Sequence, residues 1–414
     1  MITQIAWRNI WRSPVRSGVV MIAIALGLSL GVFMMAFSWG MSEERARNVV
    51  DIQTSHLQVH TASYVEEPKM KFLLPNGPEL LAEINEGPEV LASAPRMIAG
   101  GMLTSTKGAF GVQINGVDPE AEKAVRSFDE LIIEGSYFDP DKRNRILIGE
   151  SLAEEVGVKI EEGDSVRWNF RKRLVLTFQN LNGESTRASF RVDGIFRTPN
   201  TQWDKGNVFV RLQDFQKLAE AGNGFHEIAI VLDDIDKSDS LATAIEAQHT
   251  DLNAETWADL APDLKLITES FEISMFIFIG IILLALAFGI INTMLMAVLE
   301  RTRELGMLMA LGMNRGRVFL MIMLETIFLV AVGGPLGLLM GYGLVELSAS
   351  VGLDMSQFSE GVSQFGFGTI VRPELGTEYY LQIAVMVVLA AILSAIYPAL
   401  RAIKLKPVEA IRTV

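Results

Sequence analysis

Four long apolar stretches, 19–39, 273–299, 318–345 and 381–400, constrain the fold of this chain more than any other feature of its sequence. A helix rises about 1.5 Å per residue, so roughly 20 apolar residues are needed to cross a hydrocarbon core about 30 Å thick. The first stretch exceeds the ~7–15 residues of a signal-peptide core, although Ala36 and Ser38 leave cleavage open as an alternative. We therefore predict transmembrane helices at 19–40, 271–299, 318–345 and 381–400.

The basic residues predict how these helices are oriented. Lys and Arg concentrate on the cytoplasmic side of membrane proteins. They cluster before the first stretch, between the second and third, and after the fourth, whereas the loop 346–380 carries only Arg372. We therefore expect both termini to be cytoplasmic, including the tail 401–414, together with the segment 300–317. Residues 41–270 and 346–380 are expected outside.

The segment 1–18 has the pattern of a cytoplasmic amphipathic helix. Trp7, Ile10 and Trp11 share one helical face, while Arg8 and Arg12 line another. This pattern is typical of a helix in the headgroup layer, with indole rings at the interface and bases toward anionic lipid. The alternative is a plain basic anchor without an in-plane helix.

Residues 41–270 have room for a folded domain. We predict that the helix of the first stretch continues over 43–50. Apolar alternation predicts strands at 52–60, 98–116 (broken at 107–108), 226–232 and 252–256, and helical patterns cover 78–85 and 238–248. The middle, about 120–223, shows strand patterns at 145–148, 165–170, 174–178, 189–196 and 207–210, and a helix at 151–156. The predicted fold is an α-helical membrane protein with four transmembrane helices, plus an α+β extracytoplasmic domain carrying a mostly β insertion.

Composition and motifs argue against several function classes. The 414 residues carry 36 Lys and Arg against 49 Asp and Glu, an acidic excess that disfavours nucleic acid as a partner. The chain has no cysteine, which excludes disulfides and thiolate chemistry. His56 and His60 lack an evident third ligand for a metal, and no hydrolytic signature is present. We expect no catalytic residues, no metal and no cofactor bound by this chain.

The segment between the second and third stretches contains the run ERTRELGMLMALG at 300–312. By pattern alone it is a short helix, or merely a solvated turn. The run resembles the E-R-x-x-E-x-G-x-L-x-A-L-G signature of the FtsX-like permease family of ABC transporters, whose members include MacB- and LolC/LolE-type membrane subunits. Two further segments, RNIWRSPVRS at 8–17 and YPALRAIKLKPVEAIR at 397–412, are similar to the family's start and ending. Looser likenesses, such as GVDPEAE at 116–122, extend into the middle domain.

The resemblance implies a bacterial inner-membrane protein whose segment 300–317 is a coupling helix that contacts an ABC ATPase subunit. Carried over by motif, the contact candidates are Glu300, Arg301, Arg303, Glu304, Gly306, Leu308 and Gly312; family members usually carry a base where Met309 stands. No G-x-x-x-x-G-K-[ST] motif occurs in the sequence, so ATP and Mg are expected on the partner ATPase. Further expected partners are a second permease subunit, identical or not, membrane lipid, and a periplasmic carrier or adaptor.

For this architecture the resemblance implies lipoprotein release from the inner membrane as the first expectation. The alternatives are drug or peptide efflux through an adaptor and an outer-membrane duct, or a non-transporting regulator of a cell-wall hydrolase. A substrate entering at the outer leaflet would meet apolar and aromatic side chains at the helix ends, a pattern that also fits an ordinary lipid-facing belt. These entry candidates are Phe33, Met35, Trp39, Phe271, Met275 and Phe278.

Small residues recur every fourth position in two of the apolar stretches. Such spacing lets helix backbones approach closely in lipid, within one subunit or between two. The predicted packing residues are Gly27, Gly31, Gly333, Gly337 and Gly341. Glu325 lies within the third stretch, where a carboxylate either has a function or reaches back toward the cytoplasm.

Overall fold

The computed structural model describes residues 2–139, 141–162, 165–170, 172–355, 367 and 370–404. The chain divides into two compact units. The helical unit comprises Met1–Ser42, Ile267–Asp354 and Ile370–Val414, and the sheet domain comprises Glu43–Leu266 and Met355–Thr369. The predicted tail 401–414 is described only as far as residue 404, and within the predicted loop 346–380 the residues 356–366, 368 and 369 lie outside the described residues.

The α-helices make up most of the helical unit, and several shorter ones belong to the sheet domain. In chain order they are α1 (Ile2–Arg12), α2 (Pro14–Val49), α3 (Ala62–Glu66), α4 (Gly77–Asn85), α5 (Pro119–Arg126), α6 (Glu150–Glu155), α7 (Thr201–Gly206), α8 (Leu212–Ala219), α9 (Ser238–Gln248), α10 (Trp257–Leu260), α11 (Pro262–Glu300), α12 (Thr302–Ala310), α13 (Arg315–Val351) and α14 (Thr377–Ile403).

Four of these helices are long and apolar enough to cross a membrane, as predicted. The qualifying segments are Pro14–Thr54, Ile273–Glu300, Arg315–Val351 and Thr377–Ile403. Helix α2 begins at Pro14, a residue tolerated in a first helical turn because its missing N–H would have no partner there. Between α12 and α13 the backbone turns at Gly312, whose φ of +97° suits glycine, and the Asn314 side chain caps α13 by accepting from the Gly316 N–H at 3.1 Å.

The predicted packing glycines lie against neighbouring helices of the same chain. A Cβ on Gly333, Gly337 or Gly341 of α13 would come within 2.8–3.0 Å of Met21, Ala25 and Val32 of α2, respectively. A Cβ on Gly27 or Gly31 of α2 would lie 3.0 or 2.9 Å from a side-chain carbon of Leu286 or Ile282 in α11. The small residues therefore bring α2 close to α13 and α11 within one subunit.

The strands form a sheet in the second unit and two small pairs. In chain order they are β1 (Leu57–Thr61), β2 (Val90–Thr104), β3 (Ala109–Val117), β4 (Ile132–Gly135), β5 (Arg145–Gly149), β6 (Lys159–Glu162), β7 (Ser165–Trp168), β8 (Arg173–Gln179), β9 (Ser185–Phe196), β10 (Asn207–Arg211), β11 (Glu227–Leu232), β12 (Leu252–Thr256), β13 (Leu353–Asp354) and β14 (Ile370–Val371). Ten of them make one sheet in the order β12-β1-β11-β2-β3-β10-β5-β9-β4, with β8 beside β2 and β9.

Five strands of the predicted insertion, β4, β5, β8, β9 and β10, extend the sheet formed by the flanking segments, whereas β6 and β7 pair with each other. Strand β10 runs parallel to β3, with Val208 opposite Ile114, and β8 pairs with the end of β2. The predicted strand 52–60 is wrong in its first part, because the helix continues as a π-helical turn over Val50–Thr54 and the strand begins only at Leu57. Ser55 ends that turn: its N–H bonds the Val50 carbonyl at 2.7 Å, and its φ of 63° redirects the backbone.

A buried group of four charges ties the sheet to α5. The Arg96 guanidinium in β2 donates to both carboxylate oxygens of Glu122, at 3.0 and 3.1 Å, and to Glu227 in β11 at 2.8 Å. Arg126, one turn after Glu122, completes the charge balance. Burial alone would raise the pKa of Glu122, but Arg126 and Arg96 together hold it below its usual value. Burial and the neighbouring Arg96 lower the pKa of Arg126 to about 10.

Candidate functional site

Three charged residues of the 300–312 run, Glu300, Arg301 and Glu304, contact partners from other parts of the helical unit. Helix α11 ends at Glu300 and α12 begins at Thr302, so Arg301 stands at the corner between two helices. Glu300 accepts a hydrogen bond from Arg16, which lies near the start of α2. Arg301, the next residue, donates instead to Glu325 in α13. Two residues that are adjacent in sequence therefore contact different helices.

Glu304 in α12 pairs with Arg12, the last residue of α1. The two guanidinium nitrogens of Arg12 lie 2.8 and 3.0 Å from the two carboxylate oxygens of Glu304, a two-point geometry typical of Arg–carboxylate pairs. Both side chains are substantially exposed, and an exposed pair of this kind contributes little stability by itself. Arg301 lies 3.7 Å from the same carboxylate and extends the chain of alternating charges.

Glu325, in the third spanning helix, is buried against this chain of charges. Only 7% of the residue is exposed, and its carboxylate accepts from Arg301 at 3.3 Å and from the Asn9 amide of α1. The carboxylate has two donors in its own chain, one cationic, which offset the cost of burying it. We call Asn9, Arg12, Arg16, Glu300, Arg301, Glu304 and Glu325 the junction cluster.

A cavity of about 310 Å³ lies beside the junction cluster. Its apolar wall comes from α1, the end of α11, α12 and α13, and includes Ile5, Val298, Leu305, Met321 and Ile322. Because this cavity lies between α12 and its neighbours, the charged contacts as well as packing hold α12 against α1 and α13.

The exposed face of α12 is narrower than the motif resemblance implies. Leu305 and Gly306 are buried within the chain, and Leu308 is half-buried. Arg303, Met307 and Leu311 are exposed, and their spacing of four residues places them on one face of the helix. Of the predicted contact candidates, Glu300, Arg303 and Gly312 are exposed; Glu300 pairs with Arg16, and Gly312 forms the turn. Met307 and Leu311, which share this exposed face with Arg303, are not among the candidates that the motif gives.

The predicted entry residues do not share one surface. Met35 and Met275 are buried in the helical core, with 5% and 4% exposed, so they do not face lipid. Phe33 and Trp39 are half-buried, and the Trp39 ring lies 6.0 Å from that of Tyr379. Phe278 is exposed, as is Met34, the neighbour of the predicted Met35. The Phe271 side chain lies outside the described residues.

The histidines considered as metal ligands have other contacts. His56 Nδ1 accepts the Leu232 N–H at 3.1 Å, and His60 Nε2 lies 3.3 Å from the Gln58 side-chain oxygen. Burial lowers the pKa of His56, which favours the neutral, accepting ring. Among the described residues, no group of three or more His, Asp or Glu is placed to hold a metal ion.

Comparison with known families decides the class of protein. Residues 17–248, more than half of the chain, match the MacB-like periplasmic core domain, and residues 276–407 match the FtsX-like permease C-terminal domain. The chain belongs to this permease family. It is an ABC transporter permease subunit of the MacB and LolC/LolE type, and the recognition of the FtsX-like pattern in its sequence is confirmed.

Individual relatives differ in how much of their length this permease spans. It is 22% identical to the lipoprotein-releasing system transmembrane protein LolE of Haemophilus influenzae, over 94% of this chain and 92% of that protein. It is 23% identical to the macrolide export ATP-binding/permease protein MacB of Bdellovibrio bacteriovorus, over 97% of this chain but only 60% of that protein. A similar solved structure is the periplasmic region of MacB from Actinobacillus actinomycetemcomitans, with 13% identity, a TM-score of 0.37, and coverage of 53% of this chain and 96% of that one.

Proposed function

We propose that this permease couples ATP hydrolysis by a separate ABC ATPase subunit to the release of lipoproteins from the inner membrane of a bacterium. The proposed substrate class rests on the match to the LolE-type relative, which covers more than nine tenths of both chains. The MacB relative extends well beyond the matched region and includes an ATP-binding part in its name.

The exposed face of α12 is the proposed contact for that ATPase. Arg303 supplies a positive charge, and Met307 and Leu311 supply apolar surface that is 49% and 79% exposed. Apolar side chains flanked by an exposed Arg form the kind of patch that concentrates binding energy in protein interfaces. The other charges of the run are already paired within the chain, so this face is where a partner can engage α12 without first breaking the junction cluster.

A double substitution tests the docking face. Arg303→Glu with Leu311→Asp reverses the exposed charge and places an unpaired carboxylate in the proposed contact, so the ATPase should no longer co-purify with the permease. The matched control is Arg187→Glu with Leu91→Asp, which makes the same chemical changes at exposed positions of the sheet domain. Undiminished co-purification with the first variant, at normal protein levels, would exclude this face as the docking site.

Reconstitution tests the substrate class. Proteoliposomes containing the permease, its co-purified ATPase and a fluorescent triacylated lipoprotein should release that lipoprotein to a soluble acceptor only when ATP is hydrolysed. Photo-crosslinkers at Met34 and Phe278, which are exposed where Met35 and Met275 are buried, should give lipoprotein adducts that disappear during turnover. Adducts with bulk phospholipid that are insensitive to ATP would instead indicate a lipid-facing belt.

Efflux of a soluble drug or peptide is the second candidate. It is favoured by the match of 97% of this chain to a macrolide exporter. This function predicts ATP-dependent protection of the vesicle interior from a macrolide, with crosslinks in the sheet domain and few in the spanning helices. Lipoprotein release without macrolide transport would separate the two candidates.

A further inference from the structure

We propose that the junction cluster locks α1, α12 and the third spanning helix, α13, into one rigid body, so that α1 is a working part of the transmission element. This inference rests on the proposed function, because it concerns how a force applied to α12 is passed on. Asn9, Arg12 and Glu325 are its positioning residues: they act through Glu304 and Arg301 and touch no substrate.

The contacts have the connectivity that such a lock requires. Helix α1 bonds α12 through Arg12 and Glu304, and bonds α13 through Asn9 and Glu325. Arg301, at the corner before α12, donates to Glu325 and thereby joins α12 to α13. Each of the three helices is therefore bonded to the other two, and a displacement of α12 alone would break at least two of these contacts.

Burial makes one of these contacts costly to break. Glu325 lies within a spanning helix, and separating it from Arg301 and Asn9 would leave a buried carboxylate without its donors, a strongly unfavourable state. The exposed Arg12–Glu304 pair is weak by itself, and its geometry fixes the direction of α12 relative to α1. The cavity beside the cluster reduces the apolar packing available to hold α12, so the charged contacts carry more of the constraint.

The apolar side of α1 supports the same conclusion. Ala6 and Ile10 are buried in the core of the helical unit, and the Trp7 ring lies 5.5 Å from that of Phe328, one turn from Glu325 in α13. Trp7 and Trp11 also remain 40% and 52% exposed, as expected of rings that reach the interface. The helix is thus fastened to α13 by packing and to α12 by charge.

Spin-label distances test the lock directly. The natural chain has no cysteine, so labels can be placed at Gln4 of α1 and Ala310 of α12, two exposed positions outside the cluster. In full-length permease in lipid nanodiscs with its ATPase, we expect one narrow distance distribution that does not change between the nucleotide-free state and the state trapped with ATP and vanadate. Glu325→Gln should broaden the distribution and make its centre shift when nucleotide binds. In the same complex the ATP-dependent stimulation of turnover by lipoprotein should fall about tenfold, within the usual range of coupling between sites.

Two further variants keep the test decisive. Arg12→Gln removes the exposed contact and should also broaden the distribution; because 63% of the Arg12 side chain is exposed, we expect this variant to fold. Arg317→Gln, an exposed arginine beyond the turn after α12, is the matched control and should leave the distribution narrow. A wild-type distance that shifts with nucleotide, or Glu325→Gln and Arg12→Gln distributions as narrow as the wild type, would refute the lock. Failure of the proposed function would appear separately, as absence of ATPase from the wild-type purification, while the comparison of distribution widths without nucleotide would still stand.

Discussion

Gly337 offers a sharp test of how tightly the helical unit is packed. A Cβ at this position would lie 2.8 Å from the Ala25 carbonyl oxygen, 2.9 Å from the Ala25 Cα and 2.9 Å from the Leu28 Cβ. These are backbone and first side-chain atoms of α2, which cannot move aside as the end of a flexible side chain would. Gly337→Ala therefore requires α2 and α13 to separate locally, and overpacking of this kind typically costs about 1–3 kcal/mol.

Gly343→Ala provides the reference on the same helix. A Cβ there would meet nothing within 4 Å. Both substitutions gain the same helix preference of alanine over glycine, up to about 1 kcal/mol, so this gain cancels when the two variants are compared. The difference between them isolates the cost of the close approach, about 1–3 kcal/mol.

Thermal unfolding of the two variants in the same detergent, followed by tryptophan fluorescence, measures this difference. We expect the midpoint of Gly337→Ala to lie a few degrees below that of Gly343→Ala, with the wild type between them or close to the reference. Equal midpoints, or a higher midpoint for Gly337→Ala, would show that α2 and α13 are not in contact at this position.

Three further predictions concern the sheet domain and the orientation of the chain. Burial raises the pKa of Asp204 from 3.8 to about 7, so the free energy of unfolding should fall by on the order of 4 kcal/mol as the pH rises from about 4 through 7; denaturant titrations from pH 4 to 8 should show this loss, and Asp204→Asn should remove it. Arg96→Ala leaves Glu122 and Glu227 buried without their shared donor and should destabilise the domain by about 3–5 kcal/mol, whereas Arg187→Ala at an exposed site should change the unfolding free energy by less than about 0.5 kcal/mol. A cysteine at Ser127 should react with an impermeant maleimide from outside intact cells, and one at Asn314 should not. The reverse pattern would overturn the orientation predicted from the basic residues. A cysteine at Ser356, in the loop 346–380, should also react from outside; that residue lies outside the described residues.

The spanning helices and several elements of the domain were predictable because their signals are local. Hydropathy over about 20 residues identifies a span, and the helix 238–248 and the strand 252–256 have the predicted bounds. The start of the strand at 52 was wrong because the helix that begins at Pro14 continues into a π-helical turn. Apolar alternation cannot reveal how far a preceding helix extends.

The candidate site was only partly predictable because its contacts are distant in sequence. The partner of Glu304 is Arg12, 292 residues earlier, and no periodicity within 300–312 indicates that pairing. The motif indicates the segment, while only the fold shows that Glu300, Arg301 and Glu304 bind their own chain and that Arg303, Met307 and Leu311 are exposed. The sequence places Met35 and Met275 among the entry candidates for a similar reason: an apolar span has no sequence contrast between its lipid face and its packed face.

The order of strands in the sheet also determines when the sheet can be completed during synthesis of the chain. Strand β1 lies between β11 and β12, so Leu57 is opposite Ile230 and Thr256, residues that the ribosome adds much later. At about 5–20 residues per second, the roughly 200 intervening residues take about 10–40 s to synthesise. Leu57 and Val59, fully buried in the finished sheet, must remain without their partners throughout that interval. A nascent chain halted before residue 252 therefore exposes the apolar edge of β1 that β12 later covers. We expect it to depend on holdase chaperones until β12 has been synthesised.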